Sequence, residues 1–236
     1  MSLTGKCIVV TRPAHQAKSL MTALKEAGAE PILMPLIEVY PLKAPGLPSD
    51  YFPDEVIFTS ANAATYGVHY VEALKNQPVI AMGDATKQAL IDLGFLNVIT
   101  PAASNSESVL EIKALQVVQD KKILFVTGKS GRGLLQESLS SRGADVLELI
   151  VYERRCPDID VQSMLNQQPD CVVITSNNAL ENLLFLTSKA YLTQLLELQL
   201  VVVSPRIAEK AKALGFSKPP IVASGAVDSV ILRALS

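Results

Sequence analysis

Residues 56–67 read VIFTSANAATYG, and residues 172–183 read VVITSNNALENL. Each is an apolar run, a Thr-Ser step, then small polar residues that open a helical stretch. A continuous apolar run of this length suits a strand covered on both faces, as in a parallel sheet flanked by helices. A serine just before a helical pattern suits an N-cap. Both segments therefore read as strand, turn, helix, and the chain writes that unit twice.

Working outward, the repetition extends well beyond the turn. Gly28-Ala29-Glu30 answers to Gly143-Ala144-Asp145, and Leu93-Gly94-Phe95 to Leu214-Gly215-Phe216, in order and at nearly constant spacing. Ten strand-like runs follow the same plan, five in each half: CIVVT, PILMPLIEVY, EVIFTS, PVIAMG and NVITP, then KILFVTG, DVLELIVYER, CVVITS, LVVVS and IVAS. Helical periodicity separates most of them. In HQAKSLMTALKEAG, Leu20, Leu24 and Ala27 share a face, and Gly28 suits the stop. In GDATKQALIDLGF, Asp84 is the expected N-cap and Gly94 the stop. Strand and helix in alternation, doubled, predict an α/β protein of two similar domains with mostly parallel sheets flanked by helices.

PILMPLIEVY and DVLELIVYER are about twice as long as the other runs and sit at matching places. Ten extended residues span roughly 33 Å. Strands of that length can leave one domain and enter the other side by side. The first is followed by PLKAPGLPSDYFP, whose four prolines oppose helix and suit a stiff connector.

Composition narrows the function. The 236 residues are 49% hydrophobic and 19% charged, with a net charge of −2. That provides a core but no basic field to recruit nucleic acid. No apolar run approaches the roughly 20 residues of a membrane helix, and the N-terminus lacks signal-peptide features. Cys7, Cys156 and Cys171 have no metal-ligand spacing, and their odd number argues against a disulfide framework. A reducing cytoplasm is the expected setting.

Several motifs compete with bland readings. Gly128-Lys129-Ser130 invites a phosphate-loop reading, but the required earlier glycine is Ile123. Gly128, Gly131 and Gly133 also miss the dinucleotide spacing. What remains is a strand end with Lys129, Arg132 and a helix start, which suits either an anion or a solvated turn. Ser60 and Ser176 lie outside any nucleophile motif and read as caps or as carboxylate-binding hydroxyls. Arg12, at the end of the first strand, either forks onto a carboxylate or is a surface charge. Thr86 falls in the first turn of a helix, where its hydroxyl and nearby N–H groups suit an acid group. Tyr40 and Tyr152 hold equivalent places in the long runs. Both read as packing residues with a wet hydroxyl; Tyr152, where the chain crosses between domains, also reads as a neutral donor of a hydrogen bond or proton.

Taken together, VTRP, LKEAGAEPILMPLIEVYP, IFTSANA, IAMGDATKQALIDLGF, GRGLLQESLSSRGADVLELIVYERR, VVITSNNALENLL and VVVSPRIAEKAKALGF resemble the uroporphyrinogen-III synthase family. The resemblance covers nearly the whole chain. It implies two α/β domains, 1–36 with 155–236 and 37–154. A two-stranded β-ladder, its strands near 36–41 and 148–155, would join them, with the active-site cleft between. It implies closure of hydroxymethylbilane, a linear tetrapyrrole with eight carboxylate arms, with inversion of the last pyrrole and loss of water. No metal or organic cofactor is implied, and no nucleic acid or membrane. A monomer is implied, with at most transient contact with the preceding pathway enzyme. Tyr152 matches the family's proposed proton donor and Thr86 the threonine of its G-x-x-T turn. The substrate-binding set is Arg12, Ser60, Ala61, Asn62, Gly83, Lys129, Ser176, Asn177, Asn178, Ser204 and Arg206. One departure stands out: the second repeat carries Ile207 where the family usually has a threonine. The competing class is a non-catalytic two-domain binder of a small anionic metabolite.

Overall fold

The structure, a computed structural model, describes residues 3–103, 105–129 and 133–236. Arg132, a candidate anion contact, lies outside them. In chain order, β1 (Cys7–Val10) leads through α1 (Ala14–Glu26) to β2 (Glu30–Leu33) and β3 (Glu38–Pro41). After the Pro-rich stretch come β4 (Glu55–Phe58), α2 (Ala61–Gly67), β5 (Pro78–Ala81), α3 (Asp84–Asp92), β6 (Asn97–Ile99) and α4 (Ser106–Leu110). Next are β7 (Lys122–Gly128), α5 (Leu134–Ser141), β8 (Asp145–Arg155), α6 (Val161–Asn166), β9 (Cys171–Ile174) and α7 (Asn177–Leu186). The chain finishes with α8 (Leu192–Leu196), β10 (Gln199–Val202), α9 (Pro205–Ala213), β11 (Ile221–Val222) and α10 (Asp228–Leu235). None of the described helices is long and apolar enough to cross a membrane.

The chain forms two compact units, Met1–Glu38 with Arg155–Ser236, and Val39–Arg154. The first holds a five-stranded sheet in the order β11-β10-β9-β1-β2, parallel throughout. The six-stranded sheet runs β3-β8-β7-β4-β5-β6 and is parallel from β8 to β6. By the sequence repeat, β1–β2 correspond to β7–β8, and β4–β5–β6 to β9–β10–β11. Each sheet thus takes its first βα unit from one repeat and three strands from the other. The chain passes between units at 38/39 and 154/155, within β3 and β8, which are neighbours.

The expected apolar runs do form strands buried on both faces. Val56, Ile57 and Phe58 of β4 and Val172, Val173 and Ile174 of β9 are at most 2% exposed. Leu124 and Val126 face one apolar cluster of their unit, while Ile123 and Phe125 face another. In the first unit, Val9 and Val172 pack on one side and Ile8, Val10 and Val173 on the other.

Three local expectations are corrected. PILMPLIEVY is not one long strand: it breaks between Leu33 and Glu38 into β2 and β3. Pro35 has no N–H to continue a ladder, and the Leu36 N–H instead donates to the Thr11 carbonyl. DVLELIVYER, free of proline, does run on as the 11-residue β8. Ala27 is the exposed C-cap of α1, and Ala17 completes the buried face with Leu20 and Leu24. Asp84 is the first helical residue of α3 and Gly83 its N-cap. The stops are as expected: Gly28 and Gly94 have φ of +84° and +90°, a left-handed turn that glycine enters without steric cost.

Candidate functional site

A cavity of about 450 Å³ opens at the carboxyl ends of β4, β5, β7 and β8, within the Val39–Arg154 unit. Strand carboxyl ends are where open parallel sheets collect ligands, because loops and helix N-termini meet there. Thr59, Ser60, Thr127, Lys129, Tyr152 and Arg154 supply much of its polar lining. Starts of α4 and α5 complete the wall, and Glu107 of α4 brings a carboxylate.

Tyr152 and Thr127 are the most buried polar residues of the lining. Tyr152 is 4% exposed, yet its hydroxyl reaches the cavity wall 3.0 Å from Ser60 Oγ. Arg154 Nη2 donates to the same phenol oxygen at 3.4 Å, and its guanidinium carbon stands 5.7 Å from the ring centroid. Strand periodicity explains the pairing: residues two apart on β8 project to one side. Tyr66 of α2 backs the ring at a centroid distance of 6.3 Å. Lys129, still exposed, pairs with Glu153 at 3.4 Å.

Ser60 is the N-cap of α2, and its Oγ accepts from the Ala63 N–H at 3.1 Å. Ser176 caps α7 in the same way, accepting from Ala179 N–H at 3.1 Å. So the repeated Thr-Ser step is a repeated cap. Capping leaves the preceding amides open: Ala61 and Asn62 N–H, like Asn177 and Asn178 N–H, have no partner among the described residues. Such amides, with the helix dipole behind them, favour an anion. Thr59 Oγ1 donates to Thr127 Oγ1 at 3.0 Å, joining the ends of β4 and β7.

Of the expected site residues, the cavity brings together Ser60, Lys129 and Tyr152. Ala61 and Asn62 form the first turn behind Ser60. Gly83 and Thr86 belong to the next strand-to-helix turn, which the cavity reaches only through Met82; Thr86 is 5% exposed. Asp84 puts a negative charge in the first turn of that helix. Arg12, Ser176, Asn177, Asn178, Ser204 and Arg206 belong to the other unit. There Arg12 is buried, with Nη1 2.5 Å from Asp228 Oδ1 and Nη2 bonded to the Ala226 carbonyl. Arg12 thus meets one carboxylate oxygen, the protein's own, through a single nitrogen, and its second nitrogen goes to a backbone carbonyl, so it does not fork onto a carboxylate. Ser204 caps α9 without a side-chain bond, Arg206 is exposed, and Ile207 is 2% exposed in an apolar cluster. Tyr40, paired with Tyr152 by the repeat, is 39% exposed on β3. Sequence reading missed Arg154 and Thr127. Arg154 carried a signal, two residues beyond Tyr152 on a predicted strand.

The family model for uroporphyrinogen-III synthase HemD matches residues 18–225 of the chain. The uroporphyrinogen-III synthase of Salmonella typhimurium is 30% identical over 244 residues, covering 97% of this chain and 99% of that protein. That of Escherichia coli is 28% identical over 248 residues, covering 97% and 99%. The solved uroporphyrinogen-III synthetase of Helicobacter pylori superposes with a TM-score of 0.67 at 16% identity, over 98% of each chain. A mutant uroporphyrinogen III synthase of Thermus thermophilus gives 0.61 at 16% identity, over 98% and 99%. At those identities the two structures speak to the fold.

Proposed function

Because the chain belongs to the uroporphyrinogen-III synthase family, we propose that it closes hydroxymethylbilane to uroporphyrinogen III with inversion of the last pyrrole and loss of water, a lyase reaction. In this reading the phenol of Tyr152 gives its proton to the departing hydroxyl as the adjacent pyrrole nitrogen pushes it out. Water leaves and an azafulvenium cation, its N–H retained, forms opposite the phenolate. The last ring attacks it at its substituted carbon, and the resulting spiro intermediate opens and recloses. The ring proton lost on rearomatisation restores the phenol.

The observation that carries this reading is the phenol itself, buried but opening on the cavity, with Ser60 and Arg154 at its oxygen. Arg154 donates to that oxygen; with the Ser60 hydroxyl also taking the donor role, the phenol would turn its own proton toward the cavity, and both groups would stabilise the phenolate left behind. Carboxylate arms would be held by Lys129, by the open amides of Ala61 and Asn62, and at the Gly83–Thr86 turn. In the other unit, the same kind of capped turn at Ser176–Asn178, with Ser204 and Arg206, offers donors that also suit a carboxylate. A chain of net charge −2 would then hold an eight-fold anion through local donors and dipoles. Wrapping the substrate so that its ends meet would supply much of the rate. The three cysteines are unpaired, which fits a reducing cytoplasm.

The test is incubation with hydroxymethylbilane, oxidation, and identification of the porphyrin isomer. Type III product above the spontaneous background is expected. Only the non-inverted isomer, at the uncatalysed rate, would overturn the proposal in favour of a binding protein.

A further inference from the structure

Gly128 closes β7 where its pairing with β8 turns irregular: Thr127 faces Ile150, and Gly128 faces Tyr152. A glycine at a strand position weakens the strand and packs nothing. Gly128 is not among the glycines with positive φ, so conformational freedom does not account for it. Space does. A methyl group at this position would stand 2.4 Å from Tyr152 Cζ, 2.7 Å from Cε1 and 2.8 Å from Cε2. Those three atoms are the hydroxyl-bearing end of the ring. The rigid ring is almost wholly buried, with Tyr66 nearby, so relief requires that the phenol itself move.

The matching strand end of the other unit shows the opposite choice. VTRP at the end of β1 corresponds to VTGK at the end of β7, so Thr11 answers to Thr127 and Arg12 to Gly128. Arg12 is turned inward to Asp228. Of the two matching strand ends, the one without a side chain is the one that faces the buried tyrosine on the neighbouring strand.

We infer that Gly128 is a positioning residue for the Tyr152 phenol: its bare Cα is the surface on which the ring rests, which sets the hydroxyl 3.0 Å from Ser60 Oγ. The inference rests on the reading of Tyr152 as proton donor. Clearing the clash takes a shift of about 1 Å, since ordinary carbon contacts begin near 3.4 Å. A shift of that size breaks a hydrogen bond and, at a reacting group, costs about 10²-fold in rate.

The experiment is a double-mutant cycle of Gly128→Ala with Tyr152→Phe, measuring kcat and KM on hydroxymethylbilane. A parallel cycle with Tyr152→Ala is read by thermal melting. Gly128→Ala should lower kcat about 10²-fold with KM little changed, and should add nothing to the loss in Tyr152→Phe. It should lower Tm in the wild-type background but not in Tyr152→Ala, where the ring is gone. Should Gly128→Ala fail to fold, the folded state should return in Gly128→Ala/Tyr152→Ala. Full activity in Gly128→Ala, a rate loss that multiplies with that of Tyr152→Phe, or a Tm loss that persists without the ring would each overturn the inference. Wild-type rates in Tyr152→Phe would instead sink the proton-donor reading, while the Tm coupling would still report the contact.

Discussion

Replacing Tyr152 by Phe removes one oxygen and almost nothing else. The ring keeps its seat on Gly128 and its contact with Tyr66. Ser60 Oγ loses a neighbour at 3.0 Å but still accepts from the Ala63 N–H. Arg154 is exposed, so its guanidinium recovers water. No buried polar group is orphaned, and the stability cost should be that of one net hydrogen bond, about 0.5–1.5 kcal/mol. For a chain of this size that is a Tm decrease of only a few degrees, about 2–4 °C per kcal/mol. The chemical cost is separate. General-acid assistance is worth ~10²–10⁴ in rate, or about 3–5 kcal/mol of barrier. Initial rates of type III product, corrected for spontaneous closure, should therefore collapse in a protein that melts nearly normally. A wild-type rate would remove the phenol from the mechanism. A melt lowered by tens of degrees would make it a structural element and void the argument from rate.

Ser60→Ala and Ser176→Ala should each cost about 1 kcal/mol through loss of an N-cap, but Ser60→Ala should cost more activity because Ser60 also meets the phenol; equal rates in paired assays would reduce Ser60 to a cap. Tyr51 should ionise late: burial first, then the carboxylates of Asp145 and Asp54, push its phenol up to about 12 from 10.0. The fold favours the neutral form, so this contribution to stability is whole below pH about 10 and is lost as pH rises through about 12. With no tryptophan in the chain, phenolate absorbance reads this directly, and a late ionisation that survives in Tyr51→Phe would assign it elsewhere. Arg12→Met should destabilise by about 1.5–3 kcal/mol, the worth of a hydrogen bond to a charged group, because the Asp228 carboxylate keeps its bond from Ser19 and stays partly exposed; Asp228→Asn in the same chain should recover part of that, and strictly additive losses in denaturant melts would show that the pair is not coupled.

Much of the architecture was legible because parallel strands advertise themselves as short unbroken apolar runs, and because left-handed helix stops demand glycine, as at Gly28 and Gly94. The break at Pro35 is equally written in the residues, because a proline supplies no N–H to a ladder, but an apolar run hides it from a hydrophobicity pattern. At the site, Ser60 and Tyr152 could be singled out because each sits at a recognisable strand end or matched repeat position. Lys129 could be named as a cation but not its partner, since Glu153 approaches from a neighbouring strand. Arg12 looked like a free fork; only folding brings Asp228, more than two hundred residues away, to its guanidinium. Gly128 was visible only as part of a failed phosphate loop. Its role is an absence of atoms facing a ring on the next strand, and no local pattern encodes that.

The exchange of opening strands between the two repeats has a consequence for biosynthesis. As the chain leaves the ribosome, β1 and β2 emerge first and can pair, but the neighbour on the other side of β1 begins only at Cys171. The Val39–Arg154 segment is contiguous and can close its sheet while that early strand pair still waits, its apolar faces uncovered. A nascent chain stalled after Arg155 would carry one finished lobe and one exposed sticky stub, the kind of surface that holdase chaperones bind.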